Sequence, residues 1–255
     1  MKVFDNNGAP IAYIDVPPTT WDRGEPILLI HGFASTHAVN WLNTLWVKTL
    51  THAGRRVIAL DNRGHGESAK LYRAQDYVTD IMAGDAAALL EHLGIGRADV
   101  MGYSMGARIT AFLALGRPDL VRSAILGGLG IRLVEGVGLP VGIADALEAP
   151  SLAEVTDPMG RMFRAFADAN KGDLAALAAC MRGTRQTLKP AGIAAIKAPV
   201  LVCVGTSDPI AGDPHALAAL FPNGRAIDIP GRDHNLAVGD KVYKQAVLDF
   251  LETRP

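Results

Sequence analysis

Six short apolar runs recur along this chain, and most of them are separated by segments with the length and composition of helices. Strands that are apolar on both faces and alternate with helices are typical of parallel sheets. The alternation therefore predicts an α/β fold in which a mostly parallel, twisted sheet is flanked by helices. The runs are PILLIHG (26–32), RRVIALD (55–61), ADVMG (98–102), SAILGG (123–128), PVLVCVG (199–205) and RAIDIPG (225–231).

The remaining segments supply the crossover helices and an N-terminal hairpin. Residues 2–5 and 11–16 flank the turn NNGAP, which predicts two antiparallel strands at one edge and about eight strands in all. With 255 residues and a hydrophobic fraction of 49%, the chain can bury one large core. Helices are predicted for 41–53, 77–93, 105–115, 214–221 and 241–251.

The strand pattern stops between residues 131 and 190, where helix-like stretches replace it. We interpret 131–190 as a helical cap or lid, inserted into a core formed by 1–130 and 191–255 within a single structural domain. Apolar residues of the cap are candidates either for packing its own core or for lining a substrate pocket. The pocket candidates are Met159, Met162, Phe163 and Phe166.

The charge balance and the cysteines argue against several classes of function. A net charge of −1 gives no basic excess of the kind that binds nucleic acid. Cys180 and Cys203 lie far apart without metal-ligand spacing, so we expect two buried thiols and neither a disulfide nor a metal site. No stretch resembles a nucleotide-binding loop, and no apolar run approaches the roughly 18 residues of a membrane span. We expect a soluble, cytoplasmic protein without cofactor, metal, nucleic-acid or membrane partner, whose oligomeric state the sequence leaves open.

The stretch GYSMG places Ser104 between Gly102 and Gly106, where a predicted strand ends and a predicted helix begins. A sharp turn at such a junction exposes the serine hydroxyl, while the two flanking positions come too close to other backbone for a side chain. The first N–H of the helix, from Met105, would then face the atoms that the hydroxyl attacks. The pattern indicates a nucleophile.

A serine hydroxyl needs a base to take its proton and a third group to orient that base. Asp208 and His234 each follow a predicted strand, so both side chains would reach the edge of the sheet where Ser104 lies. Asp213 and Asp233 are alternatives to Asp208. The first precedes a proline, as helix N-caps do, and the second adjoins the histidine itself.

Three motifs, followed by this aspartate and histidine, resemble the α/β-hydrolase family over nearly the whole chain, with 131–190 matched least. A serine at the turn separates the chain from branches of that family with an aspartate nucleophile and favours the serine esterase-like branch. The motifs are HGF (31–33), DNRGHGES (61–68) and GYSMG (102–106).

The resemblance implies a role for each of these residues. It implies Ser104 as the nucleophile, His234 as general acid and base, and Asp208 as the carboxylate that orients the histidine. It also implies that the backbone N–H groups of Phe33 and Met105 form the oxyanion hole.

Other polar residues of the motifs have a structural interpretation. His31 and His65 lie in turn motifs that the glycines explain, so we expect structural hydrogen bonds rather than catalysis from them. Arg63 and Glu67 are expected to form an ion pair or a cap, and His37 is interpreted as a surface or helix residue.

These inferences predict a hydrolase that cleaves a small, fairly apolar carboxylic ester through an acyl-enzyme intermediate. One alternative uses the same three side chains to cleave carbon–carbon bonds in dienone acids, and an arginine that binds carboxylate in the pocket would favour it. Another alternative is a ligand receptor or binding protein that has kept the pocket and lost turnover. The available arginines are Arg108, Arg161, Arg164 and Arg182.

Overall fold

The computed structural model describes residues 1–136, 139–140 and 142–254, and within them it contains one eight-stranded sheet. The spatial order is β1-β2-β4-β3-β5-β6-β7-β8; β2 pairs antiparallel with β1 and β4, and the other neighbours are parallel. The predicted mostly parallel α/β sheet with an antiparallel N-terminal edge is confirmed. The strands are β1 (Lys2–Asn6), β2 (Ala9–Val16), β3 (Ile27–Ile30), β4 (Val57–Leu60), β5 (Ala98–Tyr103), β6 (Val121–Gly127), β7 (Val200–Gly205) and β8 (Gly224–Ile229).

Helices cover both faces of the sheet and give it two hydrophobic cores. Side chains alternate along each strand, so Ile27 and Leu29 of β3 belong to one core while Leu28 and Ile30 belong to the other. Residues of α1 and α10 complete the first core, and residues of α2 and α3 complete the second. The helices are α1 (Trp46–His52), α2 (Thr79–His92), α3 (Met105–Gly116), α4 (Arg132–Glu135), α5 (Gly142–Glu148), α6 (Pro158–Ala169), α7 (Leu174–Gly183), α8 (Pro190–Ala195), α9 (Pro214–Ala218) and α10 (Lys241–Thr253).

The sequence predicts burial on both faces for the run at 225–231, and this is wrong for β8. Among the residues that the structure describes, that strand pairs with β7 alone and so forms the edge of the sheet. Solvent therefore reaches one side of it, and both Ile227 and Asp228 are exposed. A short apolar run does not reveal whether a strand lies at the centre or at the edge of a sheet.

The helix predicted for 41–53 begins later than expected. A π-helical turn spans Ala38–Leu42, Leu45 takes a left-handed conformation with φ 66°, and α1 starts at Trp46. Trp41 and Trp46 are both fully buried, with ring centroids 6.5 Å apart. An α-helix of about 3.6 residues per turn would point residues five apart in different directions. The irregular backbone allows both rings to enter the same core.

Between β6 and β7, the described residues contain α4 to α8 and no strand. Helix α5 packs against α6 and α7, and Asn170 after α6 donates a hydrogen bond to the carbonyl oxygen of Ala34 at 3.2 Å. The segment therefore reaches the loop after β3. Val137, Gly138 and Val141 of the predicted cap, and Pro255 of the predicted core, lie outside the described residues. The division into core and cap stays a prediction.

Candidate active site

Ser104 occupies a sharp turn between β5 and α3. Its backbone has φ 54° and ψ −112°, a conformation that costs a non-glycine residue on the order of 1–3 kcal/mol. Both glycines of the motif are required by close backbone contacts. A Cβ on Gly102 would lie 2.1 Å from the carbonyl oxygen of Gly106, and one on Gly106 would lie 2.0 Å from that of Ile30. The turn therefore holds the serine side chain out at the carboxyl edge of the sheet.

Three side chains from the ends of β5, β7 and β8 form a continuous hydrogen-bonded chain. The Ser104 hydroxyl lies 2.9 Å from Nε2 of His234, and Nδ1 of His234 lies 2.7 Å from Oδ2 of Asp208. The Asp208 side chain is fully buried, and its Oδ1 accepts the backbone N–H groups of Ile210 at 2.8 Å and Ala211 at 3.1 Å. With Nδ1–H donated to a carboxylate, Nε2 is free to accept the serine proton.

The two alternative carboxylates have other partners. Oδ1 of Asp233 accepts the N–H groups of Asn235 and Leu236, and Oδ1 of Asp213 accepts those of His215 and Ala216 at the start of α9. The carboxylate of Asp208 is therefore the one that is hydrogen-bonded to the imidazole.

Two backbone N–H groups predicted to form the oxyanion hole, those of Phe33 and Met105, belong to residues that line a cavity with Ser104. Within the described part of the chain, no acceptor takes the N–H of Phe33 or that of Met105. The neighbouring groups of the same loop are occupied: Gly32 N–H donates to Oδ1 of Asn40 at 2.8 Å, and Ala34 N–H donates to Nε2 of His65 at 3.1 Å. These bonds fix the loop and leave the N–H of Phe33 unpaired.

A buried polar cluster beneath this loop holds it against the sheet. His31 Nδ1 donates to the carbonyl of Gly32 at 2.7 Å, and its Nε2 accepts the N–H of Asn62 at 3.0 Å. His65 Nδ1 likewise donates to the carbonyl of Arg63 at 2.9 Å. Both imidazoles therefore act as neutral, structural groups in this network.

Of the two alternatives for His37, surface or helix, the structure supports the second. His37 has helical backbone angles at the start of the π-helical turn and is buried, and its backbone N–H and its Nδ1 both lie 2.8 Å from Oδ1 of Asp61. The expectation for Arg63 and Glu67 needs correction. Arg63 forms its ion pair with Asp85 at 2.6 Å, and not with Glu67. The sequence does not reveal the role of Asn40, because no local pattern marks a side-chain amide on a helix as the acceptor of an N–H group from a loop.

The two neutral histidines make the fold sensitive to acid. Burial lowers the pKa of His31 to about 4 and that of His65 to about 3. Below pH 6.5 these two histidines take up protons in the unfolded chain but stay neutral in the folded protein. The stability that they contribute is therefore complete above pH 6.5 and is lost as the pH falls. We expect the free energy of unfolding to fall between pH 6.5 and about 4 by up to ~1.4 kcal/mol per pH unit for each histidine.

Urea unfolding at a series of pH values measures this slope. Burial raises the pKa of Asp61, but the side-chain and backbone hydrogen bonds that it accepts from His37 outweigh burial and lower the pKa, so the stability that Asp61 contributes is lost only below that window. His65→Gln, whose amide oxygen can accept the Ala34 N–H, should give a shallower slope. Exchange of the exposed His52 for Gln is the control, and equal slopes in all three proteins would contradict the prediction.

Two cavities meet at Ser104. The larger one, about 230 Å³, has His234 in its wall together with Met162, Phe163 and Phe166 of α6. The smaller one, about 30 Å³, is lined by residues that include Met105, Leu129 and Met181. Both cavities also contact Phe33 and Ile210.

One of the four pocket candidates lies elsewhere. Met159 is absent from the described walls of both cavities and packs half-buried against the core, one helical turn before Phe163. The packing alternative therefore applies to Met159. Helical periodicity places Met159 and Phe163 on one face, but the position of the cavity along that face depends on how α6 docks.

Among the described residues, no group of three or more His, Cys, Asp or Glu side chains is arranged to hold a metal ion. Across that part of the chain, no helix has the length and apolar character needed to cross a membrane. Cys180 and Cys203 are buried free thiols.

Comparison with known proteins relates the chain to one family. Residues 25–141 match a family model described as alpha/beta hydrolase fold. The chain is 30% identical over 253 residues to the (E)-2-((N-methylformamido)methylene)succinate hydrolase of Acinetobacter baylyi, with 91% of this chain and 92% of that protein covered. A crystal structure of a hydrolase from Pseudomonas aeruginosa superposes with a TM-score of 0.76 at 25% identity, over 98% of this chain and 97% of that one.

A further relative shares only part of its length. The dihydrolipoyllysine-residue acetyltransferase component of the acetoin cleaving system of Pseudomonas putida is 41% identical over 112 residues. That match covers 43% of this chain and 29% of the relative.

Proposed function

The chain belongs to the α/β-hydrolase fold family, and we propose that it is a serine hydrolase of small carboxylic esters. The observation that carries the proposal is the hydrogen-bonded chain from Asp208 through His234 to Ser104, with two unpaired N–H groups beside the hydroxyl. Together these groups supply a nucleophile, a base and an oxyanion site, which are the requirements of acyl transfer.

The reaction proceeds through an acyl-enzyme. Oγ of Ser104 attacks the ester carbonyl while Nε2 of His234 takes its proton, and the resulting oxyanion accepts hydrogen bonds from the N–H groups of Phe33 and Met105. Breakdown of this intermediate expels the alcohol, which takes the proton from His234. A water molecule then gives its proton to His234 and attacks the acyl group, and the carboxylic acid leaves as Ser104 recovers its proton.

The positions of the two cavities support an assignment of the two parts of the ester. His234 must protonate the leaving alcohol, and among the described walls it belongs to that of the larger cavity and not to that of the smaller one. The alcohol part therefore occupies the larger cavity, against the apolar side chains of α6. The acyl part occupies the smaller cavity, whose volume of about 30 Å³ accommodates a few atoms and so favours short acyl chains.

The experiment that tests this function combines a covalent probe with an ester assay. We expect a fluorophosphonate to label the native protein, with the adduct mapped by mass spectrometry to Ser104, and expect hydrolysis of p-nitrophenyl acetate by the unlabelled protein. Protein denatured before labelling is the control. Labelling with hydrolysis of a ring-fission dienone acid but of no ester would favour carbon–carbon bond cleavage. Absence of both labelling and hydrolysis would favour a binding protein.

A further inference from the structure

The smaller cavity contains a buried cation close to the nucleophile. Arg108 lies on α3 one helical turn after Ser104, and its backbone N–H donates to the carbonyl of Ser104 at 3.1 Å. Residues four apart lie on the same helix face, with their Cα atoms about 6 Å apart along the axis. Arg108 is only 3% exposed, and it lines the smaller cavity together with Ser104.

No carboxylate among the described residues neutralises the positive charge of Arg108. Its two terminal nitrogens donate to the backbone carbonyls of Gln186 at 2.7 Å and Arg132 at 2.9 Å, which satisfies two N–H groups and supplies no negative charge. Within the described residues Arg108 makes no ion pair with a carboxylate, and the half-buried Arg185 nearby contacts the sulfur of Met181 rather than a carboxylate. Burial and the charge of Arg185 lower the pKa of Arg108 to about 10, so it stays protonated at neutral pH.

The other three candidate arginines are engaged away from the cavities. Arg161 donates to the carbonyls of Leu152 and Val155, Arg164 pairs with Asp168, and Arg182 pairs with Asp145 and Glu148. None of the three lines either cavity in the described part of the structure. Arg108 is thus the one of the four that faces the place assigned to the acyl group.

A buried cation without a counter-charge is unfavourable, and an anion in the adjoining cavity would relieve that cost. We propose that Arg108 binds a carboxylate on the acyl part of the substrate, so that the preferred ester is a half-ester of a short dicarboxylic acid. This inference rests on the proposed ester hydrolysis and on the assignment of the acyl group to the smaller cavity, because a carboxylate-binding arginine alone would equally suit a dienone acid. The carboxylate accepts hydrogen bonds from the guanidinium, while the ester carbonyl lies at Ser104.

The alternative is that Arg108 serves only the fold, by joining α3 to the carbonyls of Arg132 and Gln186. A test must therefore separate the loss of charge from the loss of these bonds. Arg108→Met removes both, whereas Arg108→Lys keeps the charge and loses the planar, two-pronged geometry. Arg182→Met is the control, because it removes a partly exposed arginine, on α7, that lines neither described cavity.

The measurement is the ratio of kcat/KM for monobenzyl succinate to kcat/KM for benzyl butyrate, with benzyl alcohol followed by chromatography. We expect the wild-type protein to prefer the succinate half-ester and expect Arg108→Met to lower the ratio about 30-fold or more, the usual cost of removing one partner of a buried charge pair. Arg108→Lys should retain part of the preference, and Arg182→Met should retain all of it. The melting temperature of each variant shows whether it folds.

Two results would overturn the inference: a wild-type ratio that shows no preference for the anionic ester, or equal ratios in the wild-type and Arg108→Met proteins. A binding measurement distinguishes failure of the carboxylate-site inference from failure of the proposed ester hydrolysis. Titration calorimetry of Ser104→Ala protein with monobenzyl succinate requires no turnover. The affinity should fall about 30-fold or more when Arg108→Met is added. If the wild-type protein hydrolysed neither ester but this difference in affinity were observed, the proposed function would be contradicted and the carboxylate site at Arg108 would be supported.

Discussion

Exchange of Ser104 for alanine is expected to lower kcat for p-nitrophenyl acetate by about a millionfold, to the rate that binding and the oxyanion site alone support. The exchange removes the attacking oxygen and leaves both N–H groups of the oxyanion site in place. Alanine keeps the Cβ, so the strained turn is unchanged. One hydrogen bond to His234 is lost, which changes the free energy of unfolding by only about 1 kcal/mol.

Steady-state kinetics and thermal unfolding of the same preparation measure the two quantities. Ser207→Ala is the matched control, because Ser207 is exposed beside Asp208 and lies outside the hydrogen-bonded chain. It should hydrolyse the ester at the wild-type rate. A Ser104→Ala protein that did the same would show that another group attacks the carbonyl.

Exchange of Asp208 for asparagine is expected to lower kcat about ten-thousandfold while the protein stays folded. The aspartate accepts Nδ1–H of His234 at 2.7 Å, which keeps Nε2 unprotonated and aimed at Ser104. An asparagine can present its NH2 group to Nδ1 instead and so stabilise the opposite tautomer, in which Nε2 carries the proton and cannot accept another. The imidazolium formed during the reaction also loses its counter-charge.

Asp233→Asn is the matched control for this prediction. Asp233 adjoins the histidine in sequence, but its Oδ1 accepts backbone N–H groups, a role that an asparagine oxygen can fill. Its kcat should stay near the wild-type value. A larger loss in Asp233→Asn than in Asp208→Asn would transfer the orienting role to Asp233.

Much of the fold could be predicted from local pattern because a local pattern constrains a local backbone. The apolar runs gave the parallel strands, and the NNGAP turn gave the antiparallel edge. The glycine spacing around Ser104 predicted the strained turn, since only glycine fits where two backbones approach within about van der Waals contact. Predictions failed where the environment depends on neighbouring elements. Strand β8 is half exposed because it lies at the edge of the described sheet. The helix predicted from residue 41 is interrupted, and the π turn at Ala38–Leu42 lets two tryptophans enter one core.

The sequence by itself determined which residue types stand at the carboxyl edge of the sheet and in which order, because each follows its own strand. Only the tertiary structure decided which of them meet. His234 contacts a serine 130 residues away and an aspartate 26 residues away, and such pairings depend on how strands are ordered across the sheet. Tertiary structure also decided which of four arginines lies near Ser104: Arg108 is buried and shares a helix face with the serine. It likewise decided that Phe163 lines the larger cavity while Met159 does not, although helical spacing places both on one face. Local chemistry limits the candidates, and long-range packing selects among them, because contact is a property of distance in space rather than along the chain.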